Sequence, residues 1–273
     1  MRTMLQMMIV LRPHNVAAAL LSVAVGFAMT GSVRWPYLML AAVAFATAAG
    51  NTINDIYDVD IDRVNKPRRP LPAGSLSVRV AVGLYIFCIA AAVCLLPFLP
   101  AAAALWIAAW VVLLHLYSWR LKRMYLAGNI LVALVAGSGF LLGAFAGGDT
   151  MAGLIPAIFT FFFVMGREIV KDTDDLEGDR ACKAMTFPVK SGRKTALGTA
   201  LVIFLSLCVS LPLPSYVGFY RMAYGFIMLL AVVPVLLLSI WIILKDRPLG
   251  LVSTLLKVGM FFGCAAFYFG PRR

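Results

Sequence analysis

Ten of the twelve carboxylates in this chain fall in two short windows. The first holds Asp55, Asp58, Asp60 and Asp62; the second holds Glu168, Asp172, Asp174, Asp175, Glu177 and Asp179, and only Asp149 and Asp246 lie elsewhere. The two windows share a register. A shift of 117 residues lays Asn51 on Glu168, Asn54 on Lys171, Asp55 on Asp172, Asp58 on Asp175 and Asp62 on Asp179. Asn54, Asp58 and Asp62 are spaced i, i+4, i+8, as are Lys171, Asp175 and Asp179, so each set is predicted to project from one helix face. Asp55 and Asp172 border those faces; Asp60 and Asp174 fall off them, as solvated groups or partners of arginine. Several carboxylates converging on one site repel each other and require counter-cations. Hard oxygen donors in that number suit Mg²⁺, which commonly holds its substrate through phosphate oxygens.

The cations lie close by in sequence. Each acidic window is followed by a basic, proline-containing loop, KPRRPLPAG at 66–74 and KAMTFPVKSG at 183–192, with Pro72 and Pro188 at nearly the same offset. Arg68 and Arg69 follow the first window directly and are candidate phosphate contacts, as is Lys183 after the second. Lys122 and Arg123 close the segment YSWRLKR at 117–123, either as phosphate contacts or as membrane-surface anchors. Arg12 and Asn15 either touch the phosphate of an acceptor or mark the start of the first spanning helix. Arg167 sits one turn before Lys171 and faces either the same phosphates or the headgroup layer. An acidic, metal-bound and basic-rimmed site at the mouth of an apolar bundle fits a substrate with a diphosphate head and a hydrocarbon tail. The plainer alternative is an interfacial network of salt bridges, against which the duplicated register speaks. His115, beside Tyr117, reads as a packed helix residue rather than a base. Phe159, Phe161, Phe162 and Phe163 read as lipid-facing or packing residues, and Ser138, Gly139 and Gly143 as a place where helices approach closely.

The elements that must position these groups are set by hydropathy. Of 273 residues, 62% are hydrophobic and 13% charged, with a mean hydropathy of +0.93. That composition excludes a water-soluble globule, for which about 45–50% apolar and 25% charged would be usual. Apolar runs at about 16–31, 36–53, 78–96, 101–119, 126–146, 151–170, 196–211, 222–244 and 251–269 predict nine transmembrane helices. A β-barrel would show short alternating segments instead. The expected architecture is an all-α membrane protein, one domain over 1–273. It consists of two parallel four-helix repeats (about 16–119 and 126–244) plus a ninth helix around a central cavity. The net charge of +12 belongs to the loops rather than to a nucleic-acid surface. Twenty of the 24 basic residues fall on one side of this topology, and only Arg34, Arg221, Arg272 and Arg273 on the other. The positive-inside bias then predicts that the N-terminus and both acidic windows face the cytoplasm of a multi-pass cell-membrane protein. No cleavable signal peptide is expected, because the segment before the first apolar run is short and that run continues into the body of the protein. The five scattered cysteines and two separated histidines show no metal-ligand spacing and no disulfide framework.

At its two acidic windows the chain resembles the UbiA superfamily of intramembrane prenyltransferases. NDIYDVDID at 54–62 matches the NDxxDxxxD pattern of that family, and Lys171 with Asp175 and Asp179 resembles its second, KxxxDxxxD, motif. Three stretches are similar to the branch of digeranylgeranylglyceryl phosphate synthases: RPHN at 12–15, NKPRRPLPAG at 65–74 and GREIVKDTDDLEGD at 166–179. The resemblance implies a Mg²⁺ site that bridges a prenyl diphosphate to Asn54, Asp58 and Asp62 on one side and Asp175 and Asp179 on the other, with Asp55 and Asp172 behind them. Metal and Lys171 would neutralise the leaving diphosphate as the allylic C1–O bond breaks. It further implies geranylgeranyl transfer from geranylgeranyl diphosphate to the hydroxyl of geranylgeranylglyceryl phosphate, giving an ether-lipid precursor. An aromatic quinone precursor as acceptor, and a cation transporter built on the acidic windows, are the alternatives. Membrane lipids are the expected surroundings and nucleic acid is not an expected partner.

Overall fold

Proline and glycine bound several of the spanning helices: Pro36, Pro100 and Pro248 each precede one, and Gly270 follows the last. The computed structural model describes residues 2–271, so the expected far-side pair Arg272 and Arg273 lies outside the described residues. Helix α1 (Arg2–Leu11) is followed by α2 (Pro13–Met29), α3 (Tyr37–Tyr57) and the short α4 (Val59–Asn65). After a loop come α5 (Val78–Leu95), α6 (Ala101–Trp119) and α7 (Ala127–Ala146). Next are α8 (Leu154–Asp174), α9 (Leu176–Ala181), α10 (Phe187–Ser191), α11 (Arg193–Ser210) and α12 (Leu213–Tyr216). The last are α13 (Met222–Ile227), α14 (Val233–Leu244) and α15 (Leu249–Phe269). A π-type segment, Met228–Val232, joins α13 to α14 immediately before Pro234. Proline lacks the N–H that would continue the ladder, and a wider turn accommodates it. Among the described residues the extended structure amounts to one isolated bridge, Tyr220 to Pro271.

Eight helices are long and apolar enough to cross a membrane, and α1 with α2, bent by 40° at their break, supplies a ninth candidate. The chain is a multi-pass, all-helical membrane protein. Two boundaries differ from the hydropathy reading in a consequential way. The second and sixth expected runs stop at residues 53 and 170, whereas α3 continues to Tyr57 and α8 to Asp174. Hydropathy falls where the polar motif residues begin, but the backbone ladder does not. The Asp58 N–H donates to the Asn54 carbonyl at 3.0 Å and the Asp175 N–H to the Lys171 carbonyl at 2.9 Å. Asp58 and Asp175 each cap their helix with φ near −90° and ψ near 0° (φ −90° and ψ −1°; φ −86° and ψ 7°). A second short helix then starts in both places, carrying Asp62 and Asp179. Each i, i+4, i+8 set therefore straddles a helix break instead of lying on one uninterrupted face. The helical segment α1 was not anticipated either, since residues 1–12 precede the first apolar run.

The chain divides into two compact units. One contains the residues up to Leu20, Trp35–Leu131 and Glu177–Thr186; the other contains Leu21–Arg34, Val132–Leu176 and the residues from Phe187 onward. In the first unit α3 packs against α5 and α6, and α1 lies on α3 and α5. A cluster of Val10, Leu71, Leu76 and Ala81, joined by Met7, Ile56, Val59 and Val80, pins the loop of 66–77 beneath α1. Burying two leucines contributes about 1.5–3 kcal/mol each toward fastening this proline-rich loop. In the second unit α8 packs against α11 and α15, and α14 against α15. Here α2 and α7 run backbone to backbone. A Cβ added at Gly26 would meet the Phe140 carbonyl, and one at Gly143 would meet the backbone of Val23 and Phe27. Small residues let spanning helices approach this closely, and dispersion across the contact replaces the absent hydrophobic drive between helices in lipid.

Candidate active site

In the first unit, Asp55, Asp58 and Asp62 each meet a cation from outside the first acidic window. Asp55, buried on α3, is bonded by Arg12, which stands at the α1–α2 break with a left-handed φ of 51°. Arg69, from the pinned loop, donates from Nη1 to Asp62 Oδ2 at 2.6 Å and lies 3.5 Å from Asp55 Oδ1. Lys122, from the single turn Leu121–Arg123 after α6, bonds Asp58 Oδ1 and reaches Asn54 Oδ1 at 3.3 Å. Asn54 Nδ2 in turn donates to Asp58 Oδ2 at 2.9 Å. Burial of an unpaired carboxylate is costly, and these pairs are what allow Asp55 and Asp62 to be only 6% and 3% exposed. Burial still pushes the Asp62 carboxyl above its ordinary pKa, against the pull of Arg69. For Arg69, burial works against the charge, but Asp62, Asp55 and Asp58 outweigh it and hold the guanidinium protonated.

The flanking candidates divide into those inside this network and those outside it. Asn15 donates from Nδ2 to Asn51 Oδ1 at 3.1 Å, and Asn51 donates to the Leu11 carbonyl at 2.9 Å. Arg12 and Asn15 thus fasten the α1–α2 elbow to α3. Arg123 donates from Nη2 to the Tyr57 carbonyl at 3.3 Å, and its buried Nε has no partner among the described residues. Arg68 is exposed and borders a groove of about 430 Å³ with Ile9, Asn65, Lys66, Pro67 and Pro70. Lys183 is exposed in a left-handed turn (φ 54°). Asp60 pairs with Arg63 at 2.8 Å, both exposed. His115 packs in its helix between two tyrosines: its Nδ1 shares a 2.9 Å hydrogen bond with Tyr85 Oη, and its ring meets Tyr57 edge-on at 5.9 Å.

The second motif is shared between the units. Asp179 belongs to the first, where the Gly178 N–H donates to Asn65 Oδ1 at 3.1 Å and ties α9 to the end of α4. A Cβ at Gly178 would strike the Asn65 amide, so the close approach requires glycine. Asp179 is buried and accepts from Thr186 Oγ1 at 3.0 Å, while the Met185 N–H donates to the Arg123 carbonyl at 2.8 Å. In the second unit Lys171 and Arg167 both turn toward Glu168, at 2.9 and 2.5 Å. Glu168 is 4% exposed, and the Arg167 Nε is buried without a partner among the described residues. Asp172 and Asp175 are partly exposed at the end of α8. Asn51, Asn65 and Thr186 lie outside the candidate set, and Glu168 enters it only as a member of the second acidic window; Asn51 and Glu168 occupy equivalent register positions, which was the available signal.

Among the described residues, no three His, Cys, Asp or Glu side chains converge into a ready metal cage. The donor chemistry of the first motif nevertheless suits a hard cation. The Lys122 ammonium lies against oxygens of both Asn54 and Asp58, where a cation bridging the two would sit. In the first unit, an acidic break at the end of a spanning helix carries a basic side chain on each of Asp55, Asp58 and Asp62; in the second, a spanning helix ends on the equivalent acidic break at Asp175.

The chain belongs to the UbiA prenyltransferase family, whose model matches residues 16–264. It is 37% identical over 258 residues to the digeranylgeranylglyceryl phosphate synthase of Methanopyrus kandleri, covering 94% of this chain and 95% of that one. It is 36% identical over 267 residues to the enzyme of the same name from Methanothermobacter thermautotrophicus, covering 96% and 94%. A solved structure from work on digeranylgeranylglyceryl phosphate synthase in membranes shares the fold with a TM-score of 0.72 at 27% identity, covering 98% of both chains. A UbiA homologue from Archaeoglobus fulgidus bound to GPP and Mg²⁺ has the same fold, with a TM-score of 0.70 at 22% identity over 96% of this chain and 99% of that one.

Proposed function

We propose that this prenyltransferase moves a geranylgeranyl group from geranylgeranyl diphosphate to the hydroxyl of geranylgeranylglyceryl phosphate, releasing diphosphate and forming an ether-lipid precursor. The observation that carries this reading is near-full-length identity of 36–37% to two synthases of that name, with both aspartate motifs intact in this chain. The proposed metal is Mg²⁺, with Asn54, Asp58 and Asp62 as its ligands in the first motif and Asp175 and Asp179 in the second. When bound, it would supply charge neutralisation at the leaving diphosphate.

The chain's own residues supply the rest. Lys122 and Arg69 stand on the first-motif carboxylates and are placed to take phosphate oxygens as further charge-assisted partners. Lys171, held by Glu168, serves the diphosphate in the second motif, with Arg167 beside it. Asp55 and Asp172 orient these cations. Arg68, Arg123, Arg12, Asn15 and Lys183 complete the proposed phosphate-binding set, and of these Arg12 and Asn15 act by holding the elbow. The apolar spans shelter the developing allylic cation from water until the acceptor hydroxyl captures it. Both motif regions are assigned to the cytoplasmic face, in keeping with the basic loops.

The test is a paired-acceptor assay. Membranes holding the full chain are incubated with labelled geranylgeranyl diphosphate and either geranylgeranylglyceryl phosphate or an aromatic quinone precursor. Labelled ether lipid is the expected product; label in the aromatic product alone overturns the acceptor assignment. Cation flux in proteoliposomes without any prenyl transfer would overturn the enzyme reading.

A further inference from the structure

Resting on the reading that the first motif takes a divalent cation, we infer that Lys122 holds that cation's place in the unloaded protein, so that metal loads with diphosphate as a chelate rather than alone. The Lys122 ammonium bonds Asp58 Oδ1 and lies 3.3 Å from Asn54 Oδ1. The remaining Asp58 oxygen accepts from Asn54 Nδ2 at 2.9 Å. Asn54, Asp58 and Lys122 therefore form a triangle of contacts that already uses both Asp58 oxygens and both polar atoms of Asn54. The Lys122 and Asp58 side chains are 10% and 15% exposed, so water replaces neither partner cheaply.

A metal ion that takes these two oxygens must displace the ammonium. Arriving alone, it leaves a second positive charge beside itself in a poorly solvated site, which opposes binding. Arriving with diphosphate, it brings phosphate oxygens that accept the displaced ammonium. Lysine suits such an exchange because it is a compact point charge on a flexible four-carbon stem, whereas one Nη of the forked Arg69 guanidinium faces two carboxylates at once, Asp62 and Asp55. Lys122 also sits in a single helical turn beyond the end of α6, where its stem reaches the motif without being part of a spanning helix.

The experiment is equilibrium dialysis of the purified full-length chain against Mn²⁺, with and without inorganic pyrophosphate. The wild type is expected to bind Mn²⁺ alone weakly and to gain more than tenfold with pyrophosphate. Lys122→Gln is expected to bind Mn²⁺ alone about tenfold more tightly, a difference of about 1.4 kcal/mol, because the competing cation is gone, and to gain less than threefold from pyrophosphate. Lys122→Arg, which keeps the charge, is expected to bind Mn²⁺ alone as weakly as the wild type. Mn²⁺ binding to Lys122→Gln that is no tighter than to the wild type overturns the inference while the metal site stands. Wild-type Mn²⁺ affinity that is indifferent to pyrophosphate also overturns it, and this arm decides the matter even where the variant does not fold. Absence of Mn²⁺ binding in every arm removes both the metal site and the inference.

Discussion

Removing the Arg12 guanidinium separates a structural role for the α1–α2 elbow from a role in phosphate binding. Arg12 is bonded to Asp55, with side chains 18% and 8% exposed, so the pair is largely out of water. Deleting one partner of a buried pair costs about 3–5 kcal/mol. Here Arg69 remains 3.5 Å from the same carboxylate oxygen, which lowers the expected loss in Arg12→Ala to about 2 kcal/mol. The backbone provides an internal control. Arg12 has φ 51°, a conformation that costs a non-glycine residue about 1–2 kcal/mol. Arg12→Ala retains that strain and Arg12→Gly relieves it, so glycine should melt higher than alanine by the equivalent of about 0.5–1 kcal/mol after its greater unfolded-state entropy is deducted. At about 2–4 °C per kcal/mol, Arg12→Ala should melt about 4–8 °C below the wild type, with Arg12→Gly between the two. In an Asp55→Asn background the same Arg12→Ala change should cost less than about 1 kcal/mol, since its partner charge is gone. Tryptophan fluorescence melts in detergent, repeated at several heating rates because such unfolding is seldom reversible, would measure all four variants. Equal melting of wild type and Arg12→Ala would refute the pair, and glycine melting below alanine would refute the strained elbow.

Three further outcomes are expected. Asp58→Ala and Asp175→Ala should each lower prenyl transfer by about a thousandfold or more, a loss typical of removing the groups that stabilise transition-state charge, while membrane insertion stays normal; near-wild-type turnover in both removes the assigned site. Asn65→Ala should lose the acceptor of the Gly178 N–H, costing about 1 kcal/mol and lowering kcat more than stability through Asp179, whereas Asn65→Asp, which can still accept, should retain most activity in the paired-acceptor assay. Gly143→Leu should destabilise the α2–α7 contact by about 2–3 kcal/mol or more, because its side chain would enter the backbone of Val23 and Phe27; an unchanged melting temperature argues against that crossing.

Hydropathy alone located the spanning helices to within a few residues, because an apolar run of sufficient length has few alternatives in a bilayer. It ended α3 and α8 four residues early, since the polar motif residues lower the local average while the backbone ladder continues through them. The same motif residues were legible as a pair of metal–diphosphate candidates, because their spacing is itself local. What surrounded them was less legible. Arg12 read as an acceptor contact or a helix marker, and it proved to hold Asp55, 43 residues away. Lys171 read as the cation that neutralises a diphosphate and Arg167 as facing either the same phosphates or the headgroup layer; that both lie on the buried Glu168 was not legible.

By itself, then, the sequence determined an all-helical membrane protein with duplicated acidic segments, the repeat register and the chemical kind of ligand those segments suit. Hydropathy, periodicity and residue type are properties of neighbouring positions, and no folding is needed to read them. Only the tertiary structure decided which cation stands on which carboxylate: Arg12 on Asp55, Arg69 on Asp62, Lys122 on Asp58. Those pairings depend on where an elbow, a pinned loop and a turn return to the end of α3. Several basic residues in this chain could satisfy any one of the three carboxylates, and burial selects the ones the fold brings within reach.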